Sequence, residues 1–183
     1  MARIPYLDRD ALAEEHQELL ARPINLNRAL VNSPEALRHF GALGSWIRYG
    51  SRLDARLREL AILQVGYLSR SAYEFSHHVK IGRDFGVSDD DILALIDETE
   101  GRASGLPALD CAVLRAAREM TVDQRISDEC FDDLRDQLSD ELIVDLTLII
   151  GFYNAVVRVL ATLEIDVEPE YASYLEEFPL PRS

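Results

Sequence analysis

The 183-residue sequence is poor in cysteine, with only Cys111 and Cys130, which stand far apart. A disulfide framework needs more cysteines, and a dithiol redox centre of the CxxC type needs two separated by two residues. Both are therefore excluded. Each cysteine has apolar neighbours in a predicted helix, so we interpret both as structural residues and expect a reducing, cytoplasmic location.

Basic residues are also scarce: 19 lysines and arginines stand against 33 aspartates and glutamates, which gives a net charge of −14. A charge of this sign repels phosphate backbones and anionic lipids. Nucleic acids and membrane surfaces are therefore not expected as partners. Residues 1–10 have no basic stretch followed by an apolar one, so a secretory signal is not expected either.

The alternating pattern of β-strands is weak throughout, whereas apolar residues recur at spacings of three and four. Gly, Pro and Ser fall where helices would begin and end. There is no repeat and no break in composition, so the sequence predicts one all-α domain over residues 1–183, a helical bundle. Helices are predicted over residues 11–21, 36–49, 55–68, 72–85, 89–98, 107–120, 128–138 and 140–163, with a short turn at 26–31 and an extended tail from residue 164.

One long apolar run, residues 142–163, approaches the length of a membrane span. It carries Asp145, Asn154 and Arg158, each of which is costly in a bilayer. The run therefore predicts a long buried helix near the C-terminus. Its apolar surface exceeds what one side of a small domain readily covers, so we expect the chain to form a homo-oligomer.

A carboxylate and an imidazole share one face of the helix predicted over residues 72–85. Glu74 and His78 are four positions apart, and Ile81 and Phe85 continue the same face. Apolar surroundings disfavour an isolated charge, whereas a neighbouring carboxylate favours imidazolium, so the two groups are suited to share a proton near neutral pH. Such a pair suits general acid/base catalysis. A purely structural helix pair is the alternative.

Glu59 favours the catalytic interpretation because it interrupts the apolar run 57–68. A buried glutamate destabilises a fold unless it is paired, and the next helix follows after a short turn, so His78 is its expected partner. A buried group of Glu59, His78 and Glu74 is therefore predicted. His77 points about 100° away from His78 on an ideal helix, so we expect it to face solvent or a subunit contact. Because adjacent histidines diverge in this way, no metal site is predicted.

Several stretches of the sequence resemble the carboxymuconolactone decarboxylase family, which includes the alkylhydroperoxidase D proteins. They are RELAIL at 58–63, SAYE at 71–74, His78, and GVS at 86–88, and the resemblance extends over residues 36–116. The resemblance implies an oligomer of helical subunits that uses neither a metal nor a cofactor.

The two branches of this family imply different chemistry. In the peroxidase branch, two cysteines separated by two residues precede a histidine by four, and the aligned positions here are Ser71 and Glu74. Neither residue can form a disulfide, so the dithiol mechanism of peroxide reduction is not predicted. The decarboxylase branch, which this sequence is more similar to, removes carbon dioxide from an unsaturated lactone. On that resemblance, His78 is expected to donate a proton to carbon, Glu59 to orient the imidazole, and Glu74 to tune it or to move the proton.

Three further residues are candidates for contact with a small-molecule substrate. Ser71 and Tyr73 offer hydroxyl groups near the glutamate–histidine pair, and Arg158 is a candidate anchor for a substrate carboxylate. An arginine in such a helix also commonly binds an acidic side chain, which is the alternative for Arg158. Three functions stay open: a cofactor-independent lyase or isomerase acting on a small unsaturated lactone or related carbon acid, hydroperoxide reduction, and noncatalytic binding of a small molecule by a helical oligomer.

Overall fold

The computed structural model describes residues 2–181. This part of the chain contains nine α-helices and three short 3₁₀ helices. No strand occurs among these residues. The helices are α1 (Asn25–Leu30), α2 (Pro34–Tyr49), α3 (Ala55–Leu68), α4 (Ala72–Asp84), α5 (Asp89–Thr99), α6 (Ala108–Val122), α7 (Asp128–Arg135), α8 (Asp140–Leu163) and α9 (Ala172–Glu177). The prediction of a single all-α domain is confirmed.

Side-chain caps explain where most of the long helices begin. The Asp54 carboxylate accepts a hydrogen bond from the backbone N–H of Leu57 at the start of α3, and the Ser71 hydroxyl accepts one from Glu74 at the start of α4. Ser88 forms a reciprocal capping box with Asp91 at the start of α5. These bonds satisfy N–H groups that have no partner within the helix. The starts of these helices are thus determined by local sequence.

The centre of the molecule is α3, which packs against α4, α5, α6 and α8. Every residue from Leu57 to Tyr67 is buried, so the apolar run predicted a core helix correctly. Gly66 permits the close approach of α4, because a Cβ atom there would lie 3.2 Å from the backbone nitrogen of Phe75. This contact places the buried face of α4 directly against α3.

The two ends of the chain differ from the predictions. In place of the single helix predicted over residues 11–21, the chain forms 3₁₀ helices at Arg9–Ala11 and Glu14–Leu20. The tail after α8 is not extended throughout, because it folds into a turn at Pro169–Tyr171 followed by α9. Phe178 anchors this segment in the core, where only 3% of the residue is exposed. Long-range packing, which local sequence does not encode, fixes both ends.

Helix α8 is amphipathic and not buried on all sides. Ile149 and Ile150 lie in the core, whereas Val144 is 56% exposed and Leu148 is 48% exposed. By length and composition α8 is capable of crossing a membrane, but its inner face packs as the core helix of a soluble domain does. The prediction of a buried helix is therefore correct for one face only.

Candidate active site

His78 lies between two glutamates in the interior. Its Nδ1 atom is 2.6 Å from Oε2 of Glu59 on α3, and its Nε2 atom is 3.0 Å from Oε1 of Glu74, one turn earlier on α4. All three residues are at most 4% exposed. The structure thus brings together the three residues that the sequence indicated as the chemical group.

Arg58 supplies the compensation that a buried glutamate needs. Its Nε atom donates a hydrogen bond to the second carboxylate oxygen of Glu59 at 3.0 Å. The same guanidinium donates to the backbone carbonyl of Arg48 and lies over the ring of Phe85, 4.6 Å from its centroid. Glu59 therefore has a cation on each side, and its burial does not leave an unpaired charge.

The two glutamates determine the protonation state of His78. Burial by itself would lower the pKa of the imidazole, but the charges of Glu59 and Glu74 outweigh this effect and raise the pKa to about 9. Burial would likewise raise the pKa of Glu59, and the positive charges of His78 and Arg58 lower it instead. At neutral pH the group is an imidazolium between two carboxylates. Both ring nitrogens then carry protons.

A pocket of about 180 Å³ opens beside this group. Glu74, His77 and His78 form one part of its wall. The ring of Tyr153 approaches that of His78 edge-on, with centroids 5.0 Å apart and planes at 82°. Burial raises the pKa of Tyr153, so its hydroxyl stays protonated. The rest of the lining is mostly apolar but includes two arginines; among these residues are Phe40, Ile81, Phe152, Arg22 and Arg48.

The other predicted substrate-contacting residues are not all in this pocket. Tyr73 lines it, but the Tyr73 hydroxyl donates to Glu168 at 3.0 Å. Ser71 is the N-terminal cap of α4 and lines a different depression. Arg158 is exposed, lies outside the pocket, and donates to the carbonyl and side-chain oxygens of Asn154 on its own helix. The structure therefore separates Ser71 and Arg158 from His78.

The prediction that His77 faces solvent or a subunit contact is wrong. The residue is 3% exposed and stacks between the rings of Tyr73 and Tyr171, with centroid distances of 4.1 and 3.7 Å. It diverges from His78 around the helix as expected, but the segment after α8 folds back over that side of α4. The prediction failed because it did not include the packing of the segment after α8 on α4.

Arg48 and Arg22 are the residues of this pocket that sequence reasoning missed. Arg48 lies on α2, where Phe40, Gly44 and Arg48 recur at spacings of four and face the pocket together. That spacing is a signal that the sequence does contain. Arg22 precedes α1 in an irregular segment and has no such signal.

No group of three or more His, Cys, Asp or Glu side chains within residues 2–181 is arranged to hold a metal ion. In the His78 group, both imidazole nitrogens face carboxylates. A protonated ring has no free lone pair with which to bind a metal. The donor set of this site thus favours proton transfer.

Comparison with known proteins supports the family resemblance. A family model described as the carboxymuconolactone decarboxylase family matches residues 34–119. A crystal structure described as an alkylhydroperoxidase AhpD core, an uncharacterized peroxidase-related protein from Ralstonia eutropha JMP134, has a TM-score of 0.77 and 19% identity, covering 93% of this chain and 94% of that one. An uncharacterized peroxidase-related protein from Silicibacter sp. TM1040 has a TM-score of 0.77 and 23% identity, covering 93% and 92%.

A third solved structure is a cysteine-to-alanine variant of the debrominase Bmp8 in complex with 2,3,4-tribromopyrrole. Its TM-score is 0.76 at 18% identity, covering 88% of this chain and 86% of that one. At these identities the likeness is one of fold. No curated protein sequence matches the chain. Residues 34–119 thus match the carboxymuconolactone decarboxylase family, and the chain shares the fold of alkylhydroperoxidase D-like proteins.

Proposed function

We propose that this protein is a cofactor-independent acid/base enzyme, a lyase or isomerase that protonates a carbon atom of a small unsaturated lactone or related carbon acid. The observation that carries the proposal is the His78 imidazolium, held between Glu59 and Glu74 at the wall of a pocket. Because the pKa of His78 is about 9, its imidazole is protonated at neutral pH. It is therefore ready to act as a general acid.

In the lyase reaction, the bond between the substrate's carboxylate and its carbon skeleton breaks, and carbon dioxide leaves. The electron pair of that bond enters the conjugated system as an enolate, and a proton from the enzyme then forms the new C–H bond. Glu74 lines the pocket and contacts Nε2, so it relays the imidazolium proton to the carbon. The imidazole regains its proton from water. Glu59 and Arg58 keep the Nδ1 side fixed throughout.

The two arginines of the pocket support an anionic substrate. Within residues 2–181 neither Arg22 nor Arg48 forms an ion pair with an acidic side chain, although the chain carries 33 acidic residues. A free guanidinium binds a carboxylate or an enolate oxygen in a bidentate manner. Arg48 is half-buried and sits beside Tyr153, so we assign to it the anchoring role first considered for Arg158.

The apolar side of the pocket supports loss of carbon dioxide. Phe40 and Phe152 pack with ring centroids 4.8 Å apart and line the same cavity. A leaving carboxylate placed against such rings, away from the group that Arg48 binds, loses hydration, which favours its conversion to a neutral gas. The debrominase of the same fold was solved in complex with 2,3,4-tribromopyrrole, a small unsaturated ring, which is compatible with a planar ligand in a protein of this fold.

Hydroperoxide reduction is the weaker alternative. Burial raises the pKa of Cys130 to about 11, and burial also raises the pKa of Cys111. Neither thiol lines the His78 pocket. A raised pKa lowers the fraction of reactive thiolate, so neither cysteine is activated for peroxide chemistry.

Turnover of unsaturated lactones and β-keto acids, followed by ultraviolet absorbance, tests the proposal. We expect His78→Gln to lower kcat by about 10²- to 10⁴-fold, the usual contribution of a general acid. Lys80→Gln is the matched control, because Lys80 lies on the same helix and pairs only with exposed Asp84. Equal turnover by wild type and His78→Gln would remove His78 from the mechanism. Absence of turnover with every substrate, together with ligand binding in the pocket, would favour a noncatalytic binding protein.

We further propose that the subunit self-associates through the outer face of α8 and resides in a reducing cytoplasm. Phe131, Val144 and Leu148 form an exposed apolar surface there. Surfaces of this kind are usually covered by a partner. The two free thiols, one of them buried, suit a reducing compartment.

A further inference from the structure

Tyr153 on α8 carries a buried hydroxyl that the fold itself does not use. The residue is 7% exposed, and within the described part of the chain its hydroxyl forms no hydrogen bond. The other two buried tyrosines of this part each have a partner. The Tyr67 hydroxyl donates to Glu100 at 3.2 Å, and the Tyr73 hydroxyl donates to a carboxylate at 3.0 Å. A buried hydroxyl without a partner destabilises a fold, so we expect its partner to be a group outside the chain.

The surroundings of Tyr153 place this hydroxyl at the pocket beside His78. Tyr153 lines that pocket together with Glu74 and Arg48, and the charges of both these residues act on its hydroxyl. The rings of Phe152 and His78 pack against the tyrosine ring, with centroid distances of 5.5 and 5.0 Å and interplanar angles of 87° and 82°. A small ligand in the pocket can therefore contact the hydroxyl and the His78 group at the same time.

The hydroxyl of Tyr153 is suited to donate a hydrogen bond. Burial is the largest influence on its pKa and raises it, and the negative charges of Glu74 and Glu59 raise that pKa further. The hydroxyl therefore keeps its proton at neutral pH. A fixed donor in a site that excludes water binds an oxygen atom more strongly as that oxygen gains negative charge. Tyr153 is thus suited to an oxygen atom that becomes anionic during a reaction.

We propose that Tyr153 is a further catalytic residue, whose hydroxyl donates a hydrogen bond to the substrate's carbonyl oxygen and stabilises the enolate that forms there. This assignment rests on the proposed function. When carbon dioxide leaves, the electron pair of the broken bond passes into the conjugated system and places negative charge on this oxygen. Tyr153 keeps its own proton throughout. The His78 group then protonates carbon: the electrons of the enolate double bond form the C–H bond, and an oxygen electron pair restores the carbonyl.

The polar groups of the pocket then have separate tasks. Arg48 binds a carboxylate that the reaction leaves unchanged, Glu74 delivers the proton, and Tyr153 holds the charge that develops on oxygen. The hydrogen bond from Tyr153 strengthens as that charge develops, so it lowers the barrier to the reaction and adds little to the binding of the substrate. Loss of the hydroxyl should therefore affect kcat more than KM.

Tyr153→Phe tests this role, because it removes the hydroxyl and keeps the ring that packs on His78 and Phe152. We expect kcat for lactone turnover to fall about 10²- to 10³-fold, the effect of removing one oxyanion donor, while KM changes little. The urea midpoint should not fall, since no hydrogen bond within the protein is lost. Tyr174→Phe is the matched control, because Tyr174 lies outside the pocket, against Arg83. Turnover by Tyr153→Phe equal to that of wild type would overturn the proposal.

Binding of 4-nitrophenolate tests the same hydroxyl without any turnover. This planar anion carries an ionised oxygen next to an unsaturated ring, as an enolate does, and nitrobenzene is the matched neutral ligand without that oxygen. Above the pKa of the phenol, we expect Tyr153→Phe to weaken binding of 4-nitrophenolate about tenfold or more and to leave binding of nitrobenzene unchanged. Titration calorimetry measures both. An equal change for the two ligands, or no change for either, would contradict the assignment of Tyr153.

The two experiments separate this proposal from the reaction on which it rests. Selective loss of 4-nitrophenolate binding by Tyr153→Phe, in a protein that turns over no lactone, would support Tyr153 as an oxyanion donor and count against the proposed reaction. Lactone turnover that depends on His78 but not on Tyr153 would support the reaction and overturn the role of Tyr153.

Discussion

Oε2 of Glu59 lies 2.6 Å from Nδ1 of His78, and this contact joins the buried faces of α3 and α4. Each side chain alone would be costly there, because burial penalises the charged form of either. Together, and with Arg58 on the other carboxylate oxygen, they form a stable charged group. The same contact that sets the protonation of His78 therefore also stabilises the packing of α3 on α4.

Removing the charge of Glu59 should lower the pKa of His78 from about 9. Glu59→Gln retains size and hydrogen bonding but loses one of the two carboxylates that raise this pKa. It should also lower the free energy of unfolding by about 3 kcal/mol, as breaking a buried ion pair does. Titration of the His78 ring by nuclear magnetic resonance and urea unfolding measure the two effects. Glu35→Gln, at an exposed ion pair of α2, is the control, and an unchanged His78 titration would contradict this prediction.

The contribution of His78 to stability should decline as the solution becomes alkaline. The pKa of His78 is about 9 in the folded protein and 6.5 for an ordinary histidine, so the folded state binds the proton more tightly. The stabilisation is therefore fully present below pH 6.5 and is lost as pH rises through 9. Urea midpoints between pH 6 and pH 10 measure it, with His78→Gln as the reference. Parallel pH profiles for the two proteins would count against the assigned ion pairs.

Loss of Arg48 should weaken substrate binding more than chemistry. Arg48→Gln removes a free guanidinium from the pocket, so KM for an anionic substrate should rise roughly ten- to hundredfold while kcat changes little. Arg158→Gln is the control, because Arg158 is exposed and bonds only to Asn154. Steady-state kinetics with a lactone that the enzyme converts measure KM and kcat separately. An equal effect of both substitutions would exclude Arg48 as the anchor.

Replacing both thiols should leave the acid/base activity intact. The Cys111→Ser and Cys130→Ser substitutions touch neither the His78 group nor its pocket. Lactone turnover should therefore match wild type, and peroxide-dependent thiol consumption should be absent from both proteins. Peroxide consumption that disappears in the double variant would restore the peroxidase alternative.

A charge on the outer face of α8 should dissociate the proposed oligomer. Leu148 is 48% exposed, so Leu148→Glu costs little within the subunit but opposes burial against a second copy. Light scattering should give a multiple of the subunit mass for wild type and a smaller mass for the variant. Glu141→Gln, at an exposed position of the same helix, is the control. A monomeric wild-type protein would refute self-association.

Local sequence determined the helices and the centre of the candidate site. Asp54, Ser71 and Ser88 mark helix starts because their side chains cap backbone groups only three residues away. The four-residue spacing of Glu74 and His78 places both on one helix face. Glu59 lies in an apolar run, so its burial requires a partner, which is His78. These inferences needed only helix geometry and the cost of burying charge.

Tertiary structure alone decided what surrounds that centre. The direction in which the chain returns after α8 buried His77 beneath Tyr171 and brought Glu168 to it, and no spacing within α4 encodes that return. The packing of α2 also places Arg48 in the pocket, whereas Arg158 lies outside it. Contacts between residues far apart in sequence depend on how whole helices pack, so helix periodicity identified the reacting group but not the side chains that would hold its substrate.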